Sequence, residues 1–121
     1  MSDAYPPWPL AHRGEVWTAN LGDPPIRHWV VILSVDARNL SRHIDSVLVV
    51  PFSSKGLEGP SVMRMEPGES GLPAVSWLKC YFINTVRKAQ LVERLPRLLS
   101  NRRMREVCLA VRRAIDPGAP F

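Results

Sequence analysis

The sequence predicts a small, mainly β domain in which an antiparallel barrel is followed by an amphipathic helix. Four or five short strands, separated by turn residues at near-regular spacing, favour a closed or nearly closed barrel. Near the C-terminus apolar residues recur every three or four positions, the spacing of a helix with one buried face. A chain of 121 residues with 45% hydrophobic and 22% charged residues has room for a single core.

The strands are predicted from composition and from the breakers between them. The first runs from Glu15 to Leu21, is rich in β-branched and aromatic residues, and ends at the cluster Gly22-Asp23-Pro24-Pro25. The second, Ile26 to Ser34, has a continuous apolar centre, which is typical of a strand buried on both faces. Three further strands are predicted over Ser46–Ser53, Ser61–Met65 and Ala74–Ile83.

The helix is predicted to begin after Ser100, a good N-cap, and to stop at Pro117-Gly118. Three prolines around Trp8 exclude regular structure at the start of the chain. We therefore expect a Pro-rich arm over residues 1–11, one barrel domain over residues 12–116 and a short tail over residues 117–121.

Charge and missing motifs narrow the possible functions. The formal net charge is +5, and basic residues cluster between positions 87 and 113, where only Glu93 and Glu106 are acidic. This indicates a polyanion or an acidic partner.

The sequence has no apolar run of the roughly 18 residues that a membrane span needs and no signal-peptide pattern, so we expect a cytoplasmic protein. We expect no metal and no cofactor, because no His or Cys cluster has ligand spacing and no glycine-rich phosphate loop is present.

One group of residues could act on a phosphodiester. If the second and third strands form a hairpin, paired positions sum to about 80, which places Arg27 opposite Ser53 and His28 opposite Phe52 on the other face. Arginine binds two phosphate oxygens at once, imidazole moves protons near neutral pH, and a serine hydroxyl donates a hydrogen bond. These are the needs of metal-free RNA cleavage. The alternative is that these residues are surface charges and a strand end without a catalytic role.

Five short motifs follow one another along the chain. They are Arg13-Gly14-Glu15-Val16-Trp17, the strand Arg27 to Ser34 with Asp36-Ala37-Arg38-Asn39, Val49-Val50-Pro51-Phe52-Ser53-Ser54-Lys55, Ser76-Trp77-Leu78-Lys79-Cys80, and Thr85-Val86-Arg87-Lys88. In this order and spacing they resemble the MazF/PemK family, the ribonuclease toxins of bacterial toxin–antitoxin pairs. The similarity covers residues 13 to 115.

The resemblance implies an SH3-like barrel, a homodimer, metal-independent cleavage of single-stranded RNA such as mRNA with inhibition of growth, and neutralisation by a small acidic cognate antitoxin. In the family an Arg at the start of the second strand and a Thr or Ser at the end of the third carry the reaction. Carried over, these roles fall on Arg27 and Ser53. An ungapped match counted back from Ser34 places His28 on the family's Arg instead, so Arg27, His28 and Ser53 are all catalytic candidates.

The loop over residues 22–25 is shorter than is usual in the family, where this loop helps to hold RNA. We therefore expect other residues to bind the substrate. Trp17 or Trp77 could offer a stacking surface, although packing in the core is the commoner role of a strand tryptophan. The residues expected to bind RNA are Asn20, Ser54, Lys55, Lys79 and Arg87.

Two other functions are compatible with the residues. One is a non-nuclease toxin on the same barrel, similar to the CcdB poison, that binds a protein target such as DNA gyrase through its C-terminal helix. The other is a basic interaction module without catalysis. The sequence ends in Asp116-Pro117-Gly118-Ala119-Pro120-Phe121 and lacks the helix-terminal tryptophan of the CcdB type. The endoribonuclease is therefore our main expectation.

Overall fold

The computed structural model describes residues 7–121, which form one antiparallel sheet of seven strands, three α-helices and a 3-10 helix over Lys88–Gln90. The strands are β1 (Glu15–Leu21), β2 (Ile26–Ile32), β3 (Ser46–Ser53), β4 (Val62–Met65), β5 (Ser76–Lys79), β6 (Asn84–Arg87) and β7 (Leu91–Leu98). The helices are α1 (Asp36–Asn39), α2 (Pro67–Ser70) and α3 (Asn101–Ile115). The order across the sheet is β4-β5-β3-β2-β1-β7, with β6 also paired to β3. The predicted mainly β fold with a C-terminal helix is confirmed.

Most of the predicted elements are present, and the last part of the sheet differs. β1 and β3 have the predicted bounds, and α3 begins after Ser100, whose Oγ accepts a hydrogen bond from the Arg103 N–H. The single strand predicted over residues 74–83 is wrong. β5 and β6 both pair with β3, in registers that differ by three residues, so the chain between them loops out. β7 was not predicted, because this edge strand buries only Leu91 fully and shows no apolar alternation.

The two edges of the sheet approach each other through the β4–β5 connection. Gly71, which ends α2 with a positive φ of 83°, packs so tightly that a Cβ on it would lie 3.2 Å from Leu95 of β7. Arg97 of β7 donates a hydrogen bond to the carbonyl of Gly68. Leu95 also packs against the core beneath α3. These contacts nearly close the sheet into a barrel.

The side chains of β2 alternate between two cores. Val31 packs on the face covered by α3, whereas Val30 and Ile32 pack on the other face with Trp17 and Val49. The odd-numbered residues of β2 therefore face α3 and the even-numbered residues face away from it. Trp17 is 6% exposed and belongs to the second core, so it offers no surface for stacking.

A buried polar network holds the connection between β2 and β3. The side chain of Asn39 accepts from Ser34 Oγ at 2.5 Å and donates to the Ser34 carbonyl at 2.7 Å. Ser34 Oγ in turn accepts from the Leu48 N–H of β3 at 3.0 Å. Asp36 accepts from the Arg13 N–H at 2.7 Å, which ties the same turn to the start of β1. The network leaves these buried polar groups satisfied and sets how β2 lies against β3.

Lys88 supports this connection from the other side. Its side chain is buried, and Nζ donates to the carbonyls of Arg38 at 3.0 Å and Ser41 at 2.9 Å. Burial lowers the pKa of Lys88, and the nearby Arg38 charge acts in the same direction. The Trp8 ring lies 5.4 Å from this amine, so part of the predicted arm packs on the barrel, while residues 1–6 of that arm lie outside the described residues.

The network makes stability depend on pH through Asp36. Burial raises the pKa of Asp36, but the hydrogen bonds that its carboxylate accepts from Arg13, Asn39 and His12 outweigh burial and hold it below the usual value. A carboxyl group of this kind adds stability above its unfolded pKa of about 3.9 and loses that contribution as pH falls through the folded pKa.

We expect Asp36→Asn to lower the free energy of unfolding by about 0.5 kcal/mol at neutral pH, a small value because the carboxylate is half exposed. The difference from wild type should shrink as the pH falls below about 4. Urea denaturation at neutral and acidic pH measures both values, and Asp23→Asn in the exposed loop over residues 22–25 is the matched control. A difference that stays constant with pH would show that the charge of Asp36 is not what stabilises the turn.

Candidate active site

The register of β2 against β3 decides which basic residue lies across from Ser53. The observed pairs are Val30 with Pro51, Val31 with Val50 and Ile32 with Val49. Continued outward, this register places His28 opposite Ser53. The expected pairing of Arg27 with Ser53 is wrong by one residue. That expectation assumed a simple hairpin, whereas the polar network of the β2–β3 connection fixes a register shifted by one residue.

His28 and Ser53 also share a face of the sheet. Side chains alternate between the two faces of a strand, so His28 points to the same face as Val30, and Ser53 to the same face as Val49. Val30 and Val49 both belong to the second core. Arg27 points to the opposite face. It lies beside Asn20 of β1, and its guanidinium is 3.6 Å from the carboxylate of Glu93, with both of these charged side chains about half exposed.

The strands separate beyond the last β2–β3 pair. Phe52 and Ser53 leave β2 and pair instead with Leu78 and Trp77 of β5. Two clefts of about 320 Å³ each open at this point, and His28, Phe52 and Ser53 line both of them. The first cleft is completed by Arg27, Trp29, Ser54 and residues 72–76. The second is completed by Leu21, Gly22, Pro51, Lys79, Phe82 and Asn84.

The Ser53 hydroxyl is held by the turn that follows it. Ser53 Oγ accepts a hydrogen bond from the Lys55 N–H at 3.2 Å, which leaves its own O–H to donate into the clefts. Gly56 packs so closely on β5 that a Cβ would lie 2.7 Å from Trp77 and 3.1 Å from Lys79 Nζ. The Lys79 amine therefore lies beside this turn, and Trp77 is half-buried against it.

The structure brings most of the predicted site residues together. His28, Ser53, Ser54, Lys79 and Arg27 line the clefts, Lys55 follows directly on the turn, and Asn20 of β1 is paired with Arg27. Arg87 is not brought to the site. It pairs with Ser46 at the opposite end of the eight-residue strand β3, about 20 Å away at the usual rise of a strand.

Phe82 and Asn84 were missed by the sequence analysis. Both line the second cleft, Phe82 in the loop between β5 and β6, where the sequence predicted one unbroken strand, and Asn84 at the start of β6. The sequence shows only the apolar run Tyr81-Phe82-Ile83 at this point, which is typical of a strand, whereas the structure leaves all three side chains exposed.

The electrostatics of the clefts suit an anion. Among the described residues that line them, the charged side chains are Arg27 and Lys79, and none is acidic. In residues 7–121 no three His, Cys, Asp or Glu side chains lie close enough to hold a metal ion. Over the same residues no helix is long and apolar enough to cross a membrane. An imidazole, a donating hydroxyl and an amine around one point can bind and act on a phosphate.

Known proteins are similar to this chain over most of its length. The family model described as PemK-like, MazF-like toxin of type II toxin–antitoxin systems matches residues 12–115. The probable endoribonuclease MazF5 of Mycobacterium tuberculosis (strain ATCC 25618 / H37Rv) is 36% identical over 107 residues, which cover 88% of this chain and 94% of that protein.

Two solved structures have the same fold. An endoribonuclease from a mycobacterial species, in complex with its cognate antitoxin, superposes with a TM-score of 0.73 at 25% identity and covers 92% of this chain and 98% of its own. The Mycobacterium tuberculosis toxin MazF-mt6 superposes with a TM-score of 0.72 at 20% identity, over 84% of this chain and 96% of its own. Because the family model spans most of the sequence and the relative MazF5 matches nearly its whole length, the chain belongs to the PemK-like, MazF-like toxins of type II toxin–antitoxin systems.

Proposed function

We propose that the chain is the toxin of a toxin–antitoxin pair, an endoribonuclease that cuts single-stranded RNA, mRNA included, without a metal ion or cofactor. The observation that carries the proposal is that His28 and Ser53 both line two clefts whose described lining residues include no acidic side chain. The similarity to a probable endoribonuclease over most of both chains supports the same activity. The family match favours this function over the CcdB-like alternative.

The reaction assigns a role to each group. The 2′-oxygen of the substrate attacks the adjacent phosphorus, the bond from phosphorus to the 5′-oxygen breaks, and the products are a 2′,3′-cyclic phosphate and a free 5′-hydroxyl. His28 takes the proton of the 2′-hydroxyl, and the leaving 5′-oxygen takes one from water in the open clefts. Ser53 donates a hydrogen bond to a phosphate oxygen as negative charge builds on it, and Lys79 adds positive charge.

The two clefts give the RNA a path. His28 and Ser53 line both of them, so a phosphate held there would have one neighbouring nucleotide in each cleft. Ser54 and Lys55 lie on the turn after Ser53 and can bind the next phosphates, with Asn20 of β1 beside Arg27. Arg27 lies on the opposite face of β2 and is paired with Glu93, so its role is to hold RNA rather than to act at phosphorus.

Partners and location follow from the same proposal. A similar solved toxin is bound to its cognate antitoxin, and an acidic segment of an antitoxin would complement the basic clefts and compete with RNA. We also propose a homodimer, for which exposed apolar side chains such as Val92 and Leu98 on the edge strand β7 offer contact surface. A substrate of cellular mRNA places the activity in the cytoplasm.

Cleavage of a long RNA in excess EDTA tests the function. Wild-type protein should produce discrete fragments, and His28→Ala and Ser53→Ala should each reduce the rate by about 100-fold or more, because each removes a group used in the transition state. The initial rate of fragment formation is the measurement, and thermal unfolding confirms that each variant is folded.

His43→Ala is the matched control, since His43 is an exposed histidine in the connection before β3. It should leave the rate unchanged. Loss of wild-type cleavage on addition of EDTA, or wild-type rates in both site variants, would exclude the proposed chemistry.

Arg27→Ala separates binding from chemistry. We expect kcat close to wild type, weaker RNA binding, and a salt dependence of log Kd whose slope falls by about one, as for the loss of one phosphate contact. Single-turnover cleavage and RNA titrations at several salt concentrations measure these values. Arg102→Ala, an exposed arginine on α3 that lines neither cleft, is the control. A loss of kcat as large as that of His28→Ala would instead make Arg27 the group that carries the reaction.

A further inference from the structure

The second cleft has an aromatic wall that the proposed chemistry does not use. Phe82 lies in the loop between β5 and β6, and its side chain is 52% exposed. It lines the cleft together with His28, Ser53 and Lys79. A large apolar ring left half in solvent beside a candidate active site costs free energy unless something covers it.

Hydrogen bonds hold the backbone of the loop that carries this ring, and a neighbouring ring packs against it. The Phe82 N–H donates to the Lys79 carbonyl at 3.0 Å, and the side-chain amide of Asn84 donates to the Phe82 carbonyl at 3.0 Å. The Tyr81 ring meets it edge to face, with centroids 6.4 Å apart and planes at 71°. A ring that is already held loses little conformational freedom when a ligand covers it.

We propose that Phe82 is the stacking platform for the nucleobase of a nucleotide next to the phosphate that is cut. The inference rests on the proposed endoribonuclease function and names the group that the second cleft receives. A nucleotide has a flat apolar base joined to an anion. This cleft offers an aromatic wall and the amine of Lys79, and none of its described lining residues is acidic.

The other aromatic residues near the site fit this role less well. Trp17 and Phe52 are each 6% exposed and belong to the cores, and Trp77 packs against Gly56. Of the two phenylalanines that line the second cleft, Phe82 is therefore the one whose side chain is half exposed to solvent. Because every base has a π-face, such a platform adds affinity and discriminates weakly between bases.

Fluorescence of 2-aminopurine tests stacking directly. The probe is a short single-stranded RNA in which fluorine replaces every 2′-hydroxyl, so that wild-type protein cannot cut it, with one 2-aminopurine placed at successive positions. We expect the fluorescence to be quenched at one position on binding. Phe82→Ala should abolish the quenching and raise Kd by about tenfold or more, and Phe82→Trp should restore both.

Two further variants and one hydrodynamic measurement make the result decisive. Ile83→Ala, the exposed apolar neighbour that does not line the cleft, should behave as wild type. Full recovery with Phe82→Leu would show apolar packing without stacking and would overturn the inference. Unchanged quenching in Phe82→Ala would also overturn it. A change in the oligomeric state of Phe82→Ala, measured by sedimentation, would overturn it as well, because Phe82 would then be part of a protein interface.

The outcome is separable from that of the proposed function. Quenching that depends on Phe82 in a protein that cuts no natural RNA would keep the platform and reject the nuclease chemistry. Cleavage that depends on His28 and Ser53, in a protein whose quenching does not depend on Phe82, would keep the nuclease chemistry and reject the platform.

Discussion

The site depends on the buried hydrogen bonds between Ser34, Asn39 and the backbone of Leu48. Side chains alternate along a strand, so a slip of one residue between β2 and β3 would exchange the faces that meet. Arg27 would then share a face with Ser53, and His28 would not. The slip would also separate Ser34 Oγ from the Leu48 N–H and leave buried polar groups without partners. The same hydrogen bonds that satisfy the turn therefore decide which basic side chain faces the hydroxyl.

The clefts exist because β3 is longer than its pairing with β2. Three pairs join the two strands, and the last residues of β3 turn to β5 instead. The paired residues of β2 and β3 are thus held by the sheet, whereas the residues beyond the last pair line the open clefts. The bulged loop between β5 and β6 adds the wall that carries Phe82. Groups near the end of a hydrogen-bonded ladder combine fixed positions with access for a polymer substrate.

The sequence was informative where a local pattern decides the structure. The bounds of β1 and β3 and the Ser100 cap were predicted, because β-branched composition, breakers and capping act over a few residues. β7 was not predicted, because a mostly exposed edge strand shows no alternation of apolar and polar residues. The ungapped match counted back from Ser34 placed His28 on the family's Arg, and the register of β2 on β3, continued outward, puts the same residue opposite Ser53. Arg87 lies away from the clefts because β6 pairs with the far end of β3, a tertiary feature that the apolar run before it does not indicate.

A histidine across from Ser53 changes how the positive charge of the site is supplied. A guanidinium is always charged and is therefore a poor base. An imidazole can accept and release protons near neutral pH, but it does not carry a permanent charge. The permanent charge near the clefts then comes from Lys79, Lys55 and Arg27, and Glu93 partly neutralises the last of these. In the proposed reaction the strand ends carry the proton chemistry and the surrounding lysines carry the affinity, so we expect substitutions in the loops to alter which RNA is held without disturbing how it is cut.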